Sequence, residues 1–410
     1  MLIKRFLVSI SILMAANSAF AIQGIQALED RLLNNHLDIL ALDNEVRAQE
    51  SLIRASRSGY YPTLNLVGGL AQDKELSVGN YQGLVGFVDG RWNLFRGFRD
   101  RAFVGQATAN YELKKLEFDV KKRTLQIQLT QVLGDLIYVH QLMRILDDES
   151  KITQTQRQMA SKKVSAGLTG SVDNVEFDLR DSEIEIQRRQ LLQQHLEDHQ
   201  KLASLFGSDI SDTELEVLAF ENLSGKSVQL PVWEKDKTLA YQEVQLGLKR
   251  AQAERILSRG DFLPSLDLDY RFGHLTPGEF GTVGFNESRF GLLLTIPLFS
   301  GFDTASRTRA QTLNISAREK TLEQTARNVE AQLKTLSTKW SELVDLSAIN
   351  DKRLMSAQRY YELTLSEYKR GVKNSPDVVS ATDRWFASQK RKFELMRDLE
   401  DLRVQVQAVY

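Results

Sequence analysis

The chain repeats itself, so whatever it folds into must be built twice. Residues 56–66 read SRSGYYPTLNL and residues 258–268 read SRGDFLPSLDL. Five positions are identical at an offset of 202: Ser56/Ser258, Arg57/Arg259, Pro62/Pro264, Leu64/Leu266 and Leu66/Leu268. Asn93-Leu94-Phe95-Arg96-Gly97-Phe98 then lines up with Pro297-Leu298-Phe299-Ser300-Gly301-Phe302 at an offset of 204. Gly167 and Ser171 to Asp173 line up with Gly371 and Ser375 to Asp377, again at 204. Chance similarity does not hold a register over this distance. The expected organisation is a leader over residues 1–21, a first structural repeat over 22–206, a connecting segment over 207–233 and a second repeat over 234–410.

The leader is read from its three parts. Lys4 and Arg5 form a basic start, Phe6 to Ala16 is an apolar run of 11 residues, and Ala19-Phe20-Ala21 is a small-residue cleavage site. The apolar run is too short to span a bilayer as a helix, which takes about 20 residues. Cleavage after Ala21 takes the formal net charge from −1 to −3. With no cysteine in the chain, a disulfide framework, a thiolate metal site, a Cys nucleophile and a lipid anchor on cysteine are all excluded. The near-neutral charge gives no bulk attraction for nucleic acid. After Ala21 no apolar stretch approaches the ~18 residues of a membrane helix, whereas alternating membrane strands would escape such a count.

Within each half the expected order is helix, strand, strand, very long helix, tight turn, returning helix. Pro62 and Pro264 close the first helix, because proline disfavours helix at the residue before it. In the second half Leu266, Leu268, Tyr270 and Phe272 alternate with Asp267, Asp269 and Arg271. Phe290, Leu292, Leu294, Ile296 and Leu298 then form a second apolar face. In the first half Leu64, Leu66 and Leu70 share a face, and so do Leu84, Val88, Trp92 and Leu94. Such alternation fits either a membrane barrel or a soluble sheet with one face on a core.

The long helix runs from about Arg101 to Ser165, roughly 95 Å at 1.5 Å per residue. Leu125, Leu129, Val132, Leu136, Val139, Met143 and Leu146 fall on one heptad seam. Leu322, Ala326, Val329, Leu333, Leu336, Trp340 and Leu343 form its counterpart. Asp147, Asp148 and Glu149 then turn the first seam polar, which suits the wall of a wide polar tube. Gly167 and Gly371 suit left-handed helix caps. Ser375 with Pro376, and Ser171 in the first half, are the expected starts of the returning helices.

The duplicated proline motif opening a strand, the duplicated Leu-Phe-x-Gly-Phe motif closing one and the duplicated hairpin tip together resemble the TolC-like outer-membrane efflux proteins, over nearly all of the chain beyond the leader. The resemblance implies a mixed fold: a trimeric 12-stranded transmembrane β-barrel continued by a long periplasmic α-helical barrel, with two internal repeats per chain. It implies a passive exit duct in the outer membrane, extending into the periplasm, for a tripartite efflux pump or a type I secretion system. The implied partners are two further copies of the chain, a periplasmic membrane-fusion adaptor, an inner-membrane pump of RND or ABC type, and outer-membrane lipid. Four strands per chain cannot close a barrel, and open edges are not tolerated in lipid, so closure must come from a symmetric ring.

By the same resemblance Asp173, Tyr368, Lys373 and Asp377 fall at the periplasmic gate and constriction. Ala166, Gly167 and Leu168, with Arg370, Gly371 and Val372, fall at the adaptor-docking tips. The chain departs from the family pattern at Ser380, where a second constricting acid often stands, and at Val172, where a polar linking residue can occur. Read from residues alone, Asp173 and Asp377 also suit the first turn of a helix as partners of its dipole. His195 and His199, four apart, lie in a charged stretch and read as a solvated face, not as metal ligands. No nucleophile elbow, phosphate loop or catalytic acid pair stands out, so neither enzyme activity nor a cofactor is expected. The rival from another class is a periplasmic coiled-coil scaffold or adhesin, which would account for the heptads and the leader.

Overall fold

A computed structural model describes residues 27–75, 79–167, 170–208, 234–277 and 285–410. The leader, and all of the 207–233 connection but Gly207 and Ser208, lie outside the described residues. A short helix α1 occupies 27–35. It is followed by α2 (Leu37–Ser56), β1 (Thr63–Glu75), β2 (Gly79–Arg96), α3 (Arg99–Ser165) and α4 (Val172–Phe206). After the connection come α5 (Leu239–Gly260), β3 (Ser265–Pro277), β4 (Phe285–Thr295), α6 (Asp303–Lys369) and α7 (Ser375–Val409). Helices α3 and α6 each have 67 residues, and α4 and α7 each have 35. At 1.5 Å per residue the longer pair are about 100 Å long.

The chain divides into two compact units. One comprises Ala41–Asp119 and Lys235–Asn328 and holds the strands. They form an antiparallel sheet in the order β1-β2-β3-β4. Leu64, Leu66, Leu70, Tyr270, Phe272, Phe290, Leu292 and Leu294 are all exposed, Leu66 by 83%. The opposite face is charged and holds the buried Asp267. The sheet thus reverses the soluble pattern of apolar-in and polar-out. Across β2 and β3, Arg271 donates to Asp89 at 2.7 Å. Arg91 lies 3.8 Å from Asp267 and 3.6 Å from Asp269.

Two details differ from the alternation read in the sequence. A bulge between Asn93 and Phe95 puts Phe95, not Leu94, opposite Leu266. Strand β4 stops at Thr295, short of Ile296 and Leu298, and Pro297 has no N–H with which to extend the ladder.

The turn from strand to helix is made twice in the same way. Gly97 and Phe98 have φ of 62° and 64°, and Gly301 and Phe302 have 63° and 66°. Left-handed backbone at phenylalanine is costly. In each case the ring packs edge-on to the phenylalanine three residues earlier, at 5.3 Å for Phe95–Phe98 and 5.4 Å for Phe299–Phe302.

The other unit comprises the described residues of Met1–Leu40 with Val120–Glu234 and Val329–Tyr410, and is helical. Helix α7 is its common packing partner. Phe386 packs with Leu142 and Ile145 of α3, Val379 with Ala160 of α3 and Phe177 of α4, and Leu402 and Val406 with Leu336 of α6. The α6 heptad behaves as a narrow seam, with Val329, Leu333 and Leu336 buried while Val344, Leu346, Ile349, Met355 and Leu363 are exposed. In α3 the seam is wider than the heptad pattern. Leu133, Ile137, Leu142 and Ile145 are buried beside Leu125, Leu129, Leu136, Val139 and Leu146, while Val132 and Met143 are only half-buried.

The acidic triplet after Leu146 does not line a polar wall as a block. Asp148 is exposed, Asp147 pairs with Arg188 at 2.7 Å, and Glu149 is fully buried. Glu149 takes Arg180 of α4 and, at 3.1 Å, Lys390 of α7. Arg180 also reaches Asp383 and Glu183, each at 2.8 Å, and Lys390 donates to Gln187 at 2.8 Å. Two neutral ties run beside this charged knot: Gln156 to the Thr382 hydroxyl at 3.0 Å, and Asn350 to the Ser388 carbonyl at 3.1 Å.

Candidate functional site: the hairpin tips

Both hairpins turn on a left-handed glycine, with φ of 69° at Gly167 and 81° at Gly371. At the second tip the Gly371 N–H donates to the Tyr368 carbonyl and the Val372 N–H to the Glu367 carbonyl, each at 3.0 Å. That pair of bonds is a Schellman closure, which satisfies carbonyls the helix end would leave open. At the first tip the Gly167 N–H donates to the Val164 carbonyl at 2.9 Å. Ala166, Gly167, Arg370, Gly371 and Val372 are all exposed; Leu168 lies outside the described residues.

Helix α7 starts differently from the serine cap that its sequence suggests. Asn374 is the cap, its Oδ1 accepting from the Asp377 N–H at 3.2 Å. The Asp377 carboxylate accepts from the Asn374 N–H at 3.3 Å, completing a capping box. Asp377 therefore does have the helix-start role read from its position, and Lys373 lies 3.9 Å from it. Ser375 is buried inside the first turn and its hydroxyl donates to the Tyr368 hydroxyl at 3.3 Å. In the first repeat Ser171 precedes α4 with helical angles and makes no side-chain cap.

Tyr368 is the centre of the tip. It is fully buried, with the ammonium of Lys163 3.6 Å from its ring centroid and also donating to its carbonyl oxygen. Burial, first, and the neighbouring Asp173 carboxylate push the Tyr368 hydroxyl above its ordinary pKa, against the Ser375 hydrogen bond. The phenol therefore stays neutral. Asp173 is itself buried, and its Oδ2 has no hydrogen-bond partner. Asp173 and Tyr368 are thus brought together within one chain, while Lys373 is paired with Asp377.

Lys163 escaped the sequence reading. An offset of 204 sets Val164 at the place of Tyr368, so the duplication pointed one residue past the lysine and to no contact between hairpins. The tip can hold or release a helix end by polar and cation–π contacts. Among the described residues no group of three or more histidines, aspartates or glutamates could hold a metal. His195 and His199 are half-buried with their rings 4.5 Å apart, rather than lying on a solvated face.

The whole chain is similar in fold to solved outer-membrane channels. It superposes on CusC with a TM-score of 0.78 at 15% identity, covering 95% of this chain and 91% of that one. VceC from Vibrio cholerae gives 0.79 at 12% identity, covering 94% and 96%. The open state of the MtrE outer membrane channel of Neisseria gonorrhoeae gives 0.77 at 16%, covering 94% and 88%. No curated protein sequence matches the chain. The family described as "Outer membrane efflux protein" matches residues 28–208 and 236–409, and the chain belongs to that family.

Proposed function

We propose that this outer-membrane efflux protein is a passive exit duct, carrying cargo across the periplasm and outer membrane for a tripartite efflux pump or a type I secretion system. Proteins of the family are non-enzymatic transporters of the outer membrane, and the energy for export belongs to a partner. The observation that carries the reading is the exposed apolar face of the sheet, with its charges on the other side. A scaffold or adhesin would leave that face in water. Among the described residues no helix is long and apolar enough to cross a membrane, and the exposed apolar face supports the strands as the membrane element.

The duct is a homotrimer. β1 and β4 each pair on one side only, and three sheets in a ring make a closed 12-stranded barrel. The exposed apolar residues of α6, and Val175, Leu179, Ile186 and Leu196 of α4, support closure of an α-helical barrel by neighbouring copies. Each copy is two repeats, 22–206 and 234–410, joined by 207–233 behind a leader over 1–21. The equal lengths of the paired helices and the matched left-handed corners support this division. Asp173, Tyr368, Lys373 and Asp377 hold the gate. The exposed tips, including Leu168, receive a membrane-fusion adaptor, which links the duct to an RND or ABC pump.

The test is reconstitution of the purified protein in planar bilayers, with its mass in mild detergent measured by light scattering. Single-channel steps from a trimer are expected. A stable monomer or dimer, or membranes that stay electrically silent even when the tips are loosened by substitution, would overturn the proposal.

A further inference from the structure

The four junctions between strand and helix share a chemical order that the export function does not use. Arg57 precedes Tyr60 and Tyr61 at the entry to β1, and Arg259 precedes Phe262 at the entry to β3. Phe98 precedes Arg101 at the exit from β2, and Phe299 and Phe302 precede Arg307 and Arg309 at the exit from β4. The written order reverses because the chain reverses direction. In space each junction therefore runs strand, aromatic, arginine. These six aromatics are exposed, Phe299 by 76% and Phe302 by 73%; Phe103, two residues beyond Arg101 and also exposed, falls outside this order.

The charges at these junctions are biased in kind as well as in sign. Residues 54–62, 97–107, 255–264 and 296–310 hold eight arginines, no lysine and three aspartates, a surplus of five positive charges in a chain of net −1. All three aspartates are occupied: Asp100 by Arg96 at 3.5 Å, Asp261 by Arg99 at 2.8 Å and Asp303 by Arg307 at 2.9 Å. Arg57, Arg101, Arg259 and Arg309 are exposed and have no ion-pair partner among the described residues.

We infer that these four arginines form a collar that binds the phosphate groups of the periplasmic leaflet of the membrane. Amphipathic rings collect where lipid tails meet headgroups. Arg57, Arg101 and Arg259 stand three positions beyond an aromatic, about 4.5 Å deeper toward water at the rise of an α-helix, and Arg309 stands seven beyond Phe302, about 10 Å deeper. That is where the phosphates stand, and the guanidinium fork matches a phosphate's oxygens in a way the ammonium of lysine does not. The apolar face of the sheet continues directly into the aromatics, so the collar borders the lipid. The inference rests on the placement of the sheet in the membrane.

The full-length protein, stripped of lipid in detergent, is offered phosphatidylglycerol and phosphatidylcholine, and the lipids retained are counted by native mass spectrometry. The wild type is expected to prefer phosphatidylglycerol, with a preference that weakens as salt rises. The quadruple variant Arg57→Gln, Arg101→Gln, Arg259→Gln, Arg309→Gln is expected to lose at least roughly tenfold of that preference, since each cation near an anionic surface contributes measurably. The matching quadruple Arg→Lys variant keeps the charge and guards against a folding defect; it is expected to recover part of the binding. No preference in the wild type, a preference insensitive to salt, or equal retention in the Gln variant would overturn the collar. Loss of the trimer without loss of lipid preference would do the same, because it would give the arginines to a neighbouring subunit. Insertion of wild-type protein into phosphatidylcholine vesicles is measured alongside; failure there would remove the membrane reading itself.

Discussion

Glu149→Gln should destabilise the helical unit by about 3 kcal/mol. Glu149 is fully buried and faces two cations, Arg180 and Lys390. Removing its charge does not strand both. Arg180 keeps Asp383 and Glu183 at 2.8 Å. Lys390 keeps only the neutral Gln187 in direct contact, with the Asp383 carboxylate as a weaker, more distant attraction, so its charge is the one left without a contacting counter-ion. Breaking a buried pair from one side costs about 3–5 kcal/mol, and the lower end applies because the Lys390 side chain is 25% exposed. Urea unfolding of the purified protein, followed by far-ultraviolet circular dichroism, reads the loss as a lower midpoint at unchanged slope. Adding Lys390→Met removes the stranded charge and should restore at least half of the loss. A single variant within about 0.5 kcal/mol of wild type, the range of ordinary surface changes, would refute the reasoning. So would a double variant no more stable than the single one.

Burial, first, then the neighbouring Asp198 carboxylate hold the Asp135 carboxyl above the ordinary aspartate range, against Arg397 and Lys201. The folded state then binds more protons than the unfolded one, so stability falls as pH climbs from the ordinary value through the raised one. Asp135→Asn should therefore gain more over wild type at about pH 7 than at about pH 4, as read by urea midpoints at both. A Cβ at Gly97 would meet the Gly260 carbonyl oxygen at 2.5 Å and Leu263 Cβ at 2.8 Å, whereas one at Gly301 meets nothing within 4 Å. Gly301→Ala should cost only the left-handed strain of about 1–2 kcal/mol, and Gly97→Ala clearly more, as measured by thermal unfolding. Lys373→Glu with Tyr368→Phe should raise conductance in a planar bilayer without an adaptor, and so should Lys163→Gln. Asp377→Asn should weaken block by multivalent cations in the same recordings. Epitope tags inserted beside Gly79 and Pro277 should be labelled on intact cells, because those strand ends lie away from the long helices.

What the sequence disclosed best were features written twice. The Gly-Phe corners, the tip glycines and the α6 heptad lie where the duplicated motifs and periodicity predict. Features that depend on a second helix were hidden. The wide buried stripe of α3 exists because α3 packs against α7 along Leu142 and Ile145, and one heptad count sees only one neighbour. Nothing in Asp147-Asp148-Glu149 distinguishes the acid that meets Lys390 from the two that do not. Ser375 looked like a cap because serine and proline often start helices; Asn374 took the cap, leaving the Ser375 hydroxyl for Tyr368. The bulge at Leu94 was unreadable because alternation says nothing about an inserted residue.

The charges across β2 and β3 also act as a spelling check on assembly. β1 with β2, and β3 with β4, are neighbours in sequence, but β2 must find β3 across the long first hairpin and the connection. A slip of one residue would turn every leucine to the wrong face. A slip of two keeps the faces and is the error that hydrophobicity cannot detect. In the native register Asp89 stands opposite Arg271 and Arg91 opposite Asp269. Sliding two residues one way sets Asp89 against Asp269 while giving Arg91 a new partner in Asp267, and sliding two the other way sets Arg91 against Arg271 with no such partner gained. Like charges directly opposite each other destabilise a sheet. Both silent misreadings lose one native ion pair to a clash of sign, and the slip toward Arg271 has nothing to offset it, so the seam favours its own register before a subunit meets its neighbours.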